Sequence, residues 1–172
     1  MKKYIKIFLV VSIVAVTTAS VFVHPYGRVK QVSSQKAVFA GAQLDPPVAA
    51  LIQKSCQDCH SERTAWPWYS RIAPISWMIE KDVREGREHF NMSHWDEYSP
   101  EQRMQILSEI SVMVRTKQMP LPKYLKLHQD ARLKDADIDL IYQWGRKERK
   151  RLKSAEALEA GKEDKTESPA SQ

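Results

Sequence analysis

The two cysteines of this chain fall within one pentapeptide, Cys56-Gln57-Asp58-Cys59-His60. On a helix, residues three apart share a face, so both thiols point the same way and an imidazole follows the second directly. That order and spacing fit the C-x-x-C-H pattern of covalent haem attachment. Cys56 and Cys59 would form thioethers with the two vinyl groups along one porphyrin edge, and His60 would turn beneath the ring to the iron. Other uses of a cysteine pair suit the surroundings less well. A thioredoxin-like pair wants a preceding strand and a βαβ pattern, which the sequence lacks. A zinc site would need a fourth ligand and usually a second cysteine pair, and a disulfide across four residues closes too small a loop to stabilise much.

An iron that carries electrons needs a second axial ligand. The candidates are Met78, Met92, Met104, Met113, Met119, His24, His89, His94 and His128. Met104 and Met113 lie in a helical pattern, where methionine usually fills core. Met119 stands apart, past that helix and just before Pro120, with enough chain after His60 to reach the other face of a haem. A thioether is soft, binds ferrous iron well and raises the potential relative to two histidines. The expected site therefore holds one haem c through Cys56, Cys59, His60 and Met119, with His60 and Met119 on the metal.

Helices must position these groups. Asp45 followed by Pro46 reads as a cap and first turn, and Val48, Leu51 and Ile52 continue a helical spacing through 46–61 that places both cysteines on it. Between Thr64 and Ile79, two further prolines and the rings of Trp66, Trp68, Tyr69 and Trp77 suggest an irregular loop around something apolar. A short helix is expected over 76–89. Ser99, Pro100 and Gln102 form a capping box before Met104, Leu107, Ile110 and Val114, and Pro120 and Pro122 end that helix. A last helix should start near Asp135 and bury Ile138, Ile141, Tyr142 and Gly145. No alternating run asks for a strand beyond a hairpin or two, so the fold is expected to be mostly α.

With 172 residues, 42% hydrophobic and 28% charged, the chain suits one ordinary domain with some extra length and excludes collagen-like, mucin-like and fully disordered classes. Lys2, Lys3 and Lys6 precede an uncharged run from Ile7 to Val23, the pattern of an export signal or membrane anchor. The apolar run continues past a possible cleavage point at Ala19, which favours an uncleaved anchor. The expected organisation is an anchor or signal over 1–23, a linker over 24–45, the haem domain over 46–153 and a disordered charged tail over 154–172. The haem domain should face the periplasm, on a single-pass membrane anchor or free if the segment is cleaved. The three N-terminal lysines supply half of the net charge of +6. The basic run Arg146 to Lys153, broken only by Glu148 and Leu152, reads as a solvated helix end favoured by the helix dipole. The membrane and redox proteins are the expected partners; nucleic acid is not.

Several stretches together carry a family resemblance: Cys56 to His60, Trp66-Pro-Trp-Tyr69, Ala73-Pro-Ile-Ser-Trp77, Asp82-Val-Arg-Glu-Gly-Arg87, Asn91-Met-Ser-His-Trp95 and Met119-Pro120. Over about 46–152 the chain resembles the small bacterial haem-binding domain family related to class I cytochromes c. The family's Met-Pro-Pro loop stands here as Met119-Pro120-Leu121-Pro122. The resemblance implies a cytochrome c-like helical domain around one covalent haem, in a membrane-tethered or periplasmic protein. It also implies that the carbonyl of Pro74 accepts from the other ring nitrogen of His60, and that Trp66, Trp68, Tyr69 and Trp77 wall the haem.

The expected function is a monohaem c-type cytochrome, a one-electron carrier rather than an enzyme. The alternative is a haem enzyme of peroxidase type, or a gas or redox sensor, with an open distal position and a polar pocket from Arg87 and the stretch His89 to His94. A further possibility has the basic helix end docking an acidic redox partner.

Overall fold

The computed structural model describes residues 2–22, 29 and 37–167. Among them the regular elements are α1 (Lys2–Phe22), α2 (Pro46–Ser55), α3 (Gln57–His60), α4 (Ile75–His89), α5 (Pro100–Arg115) and α6 (Asp135–Glu167), with short 3-10 turns and no strand. The mostly α expectation holds. The described residues fall into two compact units, one comprising α1 with 58–91 and the other 37–57 with 92–167.

The N-terminal segment is helical, and its large apolar side chains, Tyr4, Phe8 and Val16 among them, are exposed. The expected membrane-spanning helix is not supported: no helix among the described residues is long and apolar enough to cross a membrane. Lys2, Lys3 and Lys6 occupy the first turns of α1. The uncharged part that follows rises only about 24 Å to Phe22, against a hydrocarbon thickness of about 30 Å.

In the second unit, α5 opens with the capping box its sequence announces. Ser99 Oγ accepts from the Gln102 amide, and the Ser99 amide donates to Gln102 Oε1 at 2.8 Å. Such a cap contributes about 1 kcal/mol. Leu51 of α2, Val114 of α5 and Ile138 and Ile141 of α6 form one apolar cluster, with Ile110 and Leu133 against its edge. Met104 and Tyr142 are only half-buried, while Ile106 and Trp144 are enclosed. Gly145 lets α6 approach α5 closely, since a Cβ there would lie 3.0 Å from Ser111 Oγ.

A second cluster corrects the linker expected over 24–45. Phe39 is 2% exposed, its ring edge-on to Trp95 at 4.7 Å and to Trp144 at 5.3 Å. Its amide donates to the Met92 carbonyl, and Trp144 Nε1 donates to the Gln43 carbonyl at 2.8 Å. From residue 37 this segment is therefore part of the packed unit; 24–28 and 30–36 lie outside the described residues. Phe39 adopts φ +56°, a left-handed conformation costly for a bulky side chain, and its two ring contacts hold it there.

The basic run on α6 has a physical pattern. Its two non-basic members, Glu148 at 1% and Leu152 at 6% exposure, are the ones turned inward. Arg151 donates to both Glu148 carboxylate oxygens and to the Gly41 carbonyl, while Arg146, Lys147, Lys150 and Lys153 remain exposed. The helix does not stop there. It continues to Glu167, where a disordered tail over 154–172 was expected; 168–172 lie outside the described residues.

Candidate functional site

The two cysteines do not share one continuous helix. α2 ends at Cys56, whose φ of −129° and ψ of −34° leave the helical region while its amide still donates to the Ile52 carbonyl. α3 then restarts at Gln57 and carries Cys59 and His60. The helix expected through 46–61 is thus broken at the first thiol. Neither cysteine is in a disulfide, and both are half-buried.

His60 is the best-held side chain of the motif. Its ring stacks on Phe90 with centroids 4.3 Å apart and planes 17° from parallel, and its Nδ1 lies 3.4 Å from the Phe90 carbonyl oxygen. Because a carbonyl only accepts, this contact fixes the tautomer with hydrogen on Nδ1 and leaves the Nε2 lone pair for a metal. Burial is the main cause that pulls the His60 pKa below the ordinary histidine value, against the opposing pull of the Phe90 and Gly86 carbonyls, and His89 lowers it further. The imidazole is therefore neutral near pH 7, the form that binds iron.

The structure pairs His60 with Phe90, where the resemblance pointed to Pro74. The Pro74 carbonyl accepts from the amide of Met78 in the first turn of α4, and Phe90, at the other end of that helix, faces His60. The reason is local. Pro74 sits at the N-cap of α4, where its carbonyl is the first acceptor of the helix ladder. Phe90 is the C-cap, with extended backbone, and its carbonyl is released from that ladder.

Other candidates are placed as follows. Met119 lies in the second unit, half-buried just beyond α5, after a turn in which Lys117 adopts φ +56°; its amide donates to the Met113 carbonyl. Met92 is fully enclosed in that unit. Met113 and Met78 are exposed, Met104 is half-buried, and His89 is exposed. His94 Nδ1 lies 2.9 Å from a Glu97 carboxylate oxygen, and His128 stacks on Tyr124. His24 lies outside the described residues. Arg87, considered for a polar distal pocket, donates from Nε to the Ser61 carbonyl and from Nη2 to Thr64 Oγ1.

The residues present suit a haem. Besides a neutral imidazole and two cysteines outside any disulfide, Trp68, Ile72, Ile75 and Met78 of the first unit are all exposed, Trp68 at 76%. Such a concentration of uncovered apolar side chains gives a flat apolar ligand something to cover. Two buried hydroxyls, Ser55 and Ser76, have no hydrogen-bond partner among the described residues. Among the same residues, no group of three or more His, Cys, Asp or Glu could hold a bare metal ion.

A mostly helical protein that presents one oriented imidazole directly after a pair of unbridged cysteines fits the haem-binding class. The chain is a member of the haem-binding domain family, whose pattern matches residues 15–147. No curated protein and no solved structure matches it.

Phe90 and Gly86 were missed in reading the sequence. Phe90 has no donor or acceptor in its side chain, and its hydrogen-bonding role lies in its backbone carbonyl. Gly86 did leave a signal, as a lone glycine inside a helical stretch, which commonly marks a close packing contact.

Proposed function

We propose that this haem-binding protein is a monohaem c-type cytochrome that passes single electrons outside the cytoplasmic membrane. The observation that carries this reading is His60, whose Nδ1 contact with Phe90 leaves Nε2 to ligate a metal directly after Cys56 and Cys59, neither of which is in a disulfide. Each thiol would add across one vinyl group of the haem, sulfur bonding to the carbon next to the ring and the thiol hydrogen going to the terminal carbon. No atom is lost and no oxidant is consumed. When bound, the haem supplies one reversible electron at its iron. His60 would hold the iron, and Met119, whose thioether is neutral and soft, would be its second protein ligand. An iron with both positions so occupied would offer no site to a substrate, which favours electron transfer over catalysis. Consistent with a carrier, Arg87 and His94 are engaged with Ser61, Thr64 and Glu97.

The lysines and uncharged run at the N-terminus support export of the haem domain to the periplasmic side, with the first 23 residues as the export segment. Cell fractionation and N-terminal sequencing of the mature protein test this; haem protein recovered only from the cytosol would overturn it.

The ligation is tested by visible and near-infrared spectra of protein produced with the cytochrome c attachment machinery. A low-spin ferric spectrum is expected, with the weak methionine-to-iron charge-transfer band, and Met119→Ala should abolish that band and lower the potential. A band that survives Met119→Ala would assign the ligand elsewhere. A high-spin five-coordinate wild-type spectrum would support the enzyme or sensor reading instead.

A further inference from the structure

α4 meets the residues of the haem motif at two successive positions. A Cβ built on Gly86 would lie 2.6 Å from the Cys59 carbonyl oxygen, 3.1 Å from its carbonyl carbon and 3.2 Å from its Cβ. These are backbone and near-backbone atoms, which cannot swing aside as a flexible side-chain end can. Gly86 is fully helical within α4 and shows no positive φ, so its conformation does not require glycine. In that setting glycine costs about 1 kcal/mol relative to alanine. The close approach of Cys59 offsets that cost.

The neighbouring Arg87 fastens the chain that leaves His60. Its Nε donates to the Ser61 carbonyl at 2.9 Å, and its Nη2 donates to Thr64 Oγ1 at 3.1 Å. Thr64 Oγ1 in turn donates to the Asp58 carbonyl at 2.6 Å, and the Ala65 amide donates to Asp58 Oδ1. Ser61 is fully enclosed. The segment 58–65 is thereby closed on itself and tied to α4. The C-terminal end of the same helix supplies the Phe90 carbonyl that orients His60, and the Phe90 amide donates to the Gly86 carbonyl.

The geometry points to Gly86 and Arg87 as positioning residues for haem attachment: Gly86 sets where Cys59 presents its thiol, and Arg87 fixes the loop on which His60 is mounted. This inference rests on the covalent-haem reading above. Because Gly86 contacts Cys59, Gly86→Ala should weaken that thioether selectively. Arg87→Met should loosen the whole segment, and Arg87→Lys should restore part of the loss by keeping one donor and the charge.

The test is full-length protein matured with the attachment machinery, measured for haem retained after acidified organic extraction, for the α band of its pyridine haemochrome and for helicity by circular dichroism. Gly145→Ala, which crowds Ser111 Oγ in the second unit, is the packing control. Expected for Gly86→Ala is a several-fold loss of covalent haem, with the remaining band shifted toward that of single-thioether haem. Gly145→Ala should keep the two-thioether band in whatever haem it retains. A Gly86→Ala protein with normal haem content and a two-thioether band would overturn the proposal alone. Equal losses in Gly86→Ala and Gly145→Ala without a band shift would also overturn it, since Gly86 would then be a packing residue only. Wild-type haem that is fully extractable would overturn the covalent reading itself, and this proposal with it.

Discussion

His60 can serve iron only through a nitrogen whose lone pair is free, and the Phe90 carbonyl decides which nitrogen that is. The stacked Phe90 ring adds a second effect by keeping water from one face of the imidazole. Phe90→Ala separates the two, because the carbonyl survives any substitution while the ring does not. Covalent haem and His60 ligation should persist. The reduction potential should fall, on the order of tens of millivolts, because water admitted near the iron favours the more highly charged ferric state. A redox titration measures this, and an unchanged potential would show that the ring does not shield the iron. The proposed anchors Cys56 and Cys59 and the proposed ligand His60 could be named from the sequence because side-chain type and spacing alone single them out. The hydrogen-bond partner was not. A backbone carbonyl leaves no mark on residue type, so the analogy that pointed to Pro74 could not register that α4 uses that carbonyl for its own first turn.

At the scale of elements, legibility followed periodicity. α5 could be read to its first residue, because Ser99 and Gln102 satisfy amides that a helix start leaves open, and Pro100 at the first turn has no amide to satisfy. The segment around Phe39 has no period, and its place in the core depends on Trp95 and Trp144, far away in sequence. Its energetic weight can be measured. Phe39→Ala removes a ring enclosed by two tryptophans and should cost about 3–5 kcal/mol, with no relief of the strained φ, because alanine also disfavours φ +56°. Urea unfolding followed by tryptophan fluorescence is the direct readout. A loss below about 1 kcal/mol would mean that 37–45 adds little to the second unit. The break between α2 and α3 was invisible for a related reason: helical spacing runs through Cys56, and only its backbone angles reveal that the first thiol stands at a joint.

At the scale of the whole molecule, the run Arg146 to Lys153 shows how one stretch serves two environments. Its charge looked like a uniformly solvated helix end, yet Glu148 and Leu152 are buried, and Arg151 spans the boundary between core and solvent. Beyond Leu152, Lys153, Ser154, Ala155 and Leu158 are all exposed, so the outer part of α6 adds helix without adding core. That is why its sequence, with no apolar face, resembled a disordered tail. Two truncations separate these roles. A chain ending at Lys153 keeps Leu152 and the Arg151–Glu148 pair and should melt within a few degrees of the full protein, since about 1 kcal/mol moves Tm by roughly 2–4 °C at this size. A chain ending at Glu148 loses a buried leucine and strips a buried carboxylate of its guanidinium partner. Breaking a buried pair from one side costs about 3–5 kcal/mol, and the lost apolar burial adds about 2 kcal/mol. That chain should unfold well below the first in a thermal scan followed by circular dichroism. If both melted together, Glu148 and Leu152 would not be part of the stabilising core, and the inward face assigned to the basic run would be wrong.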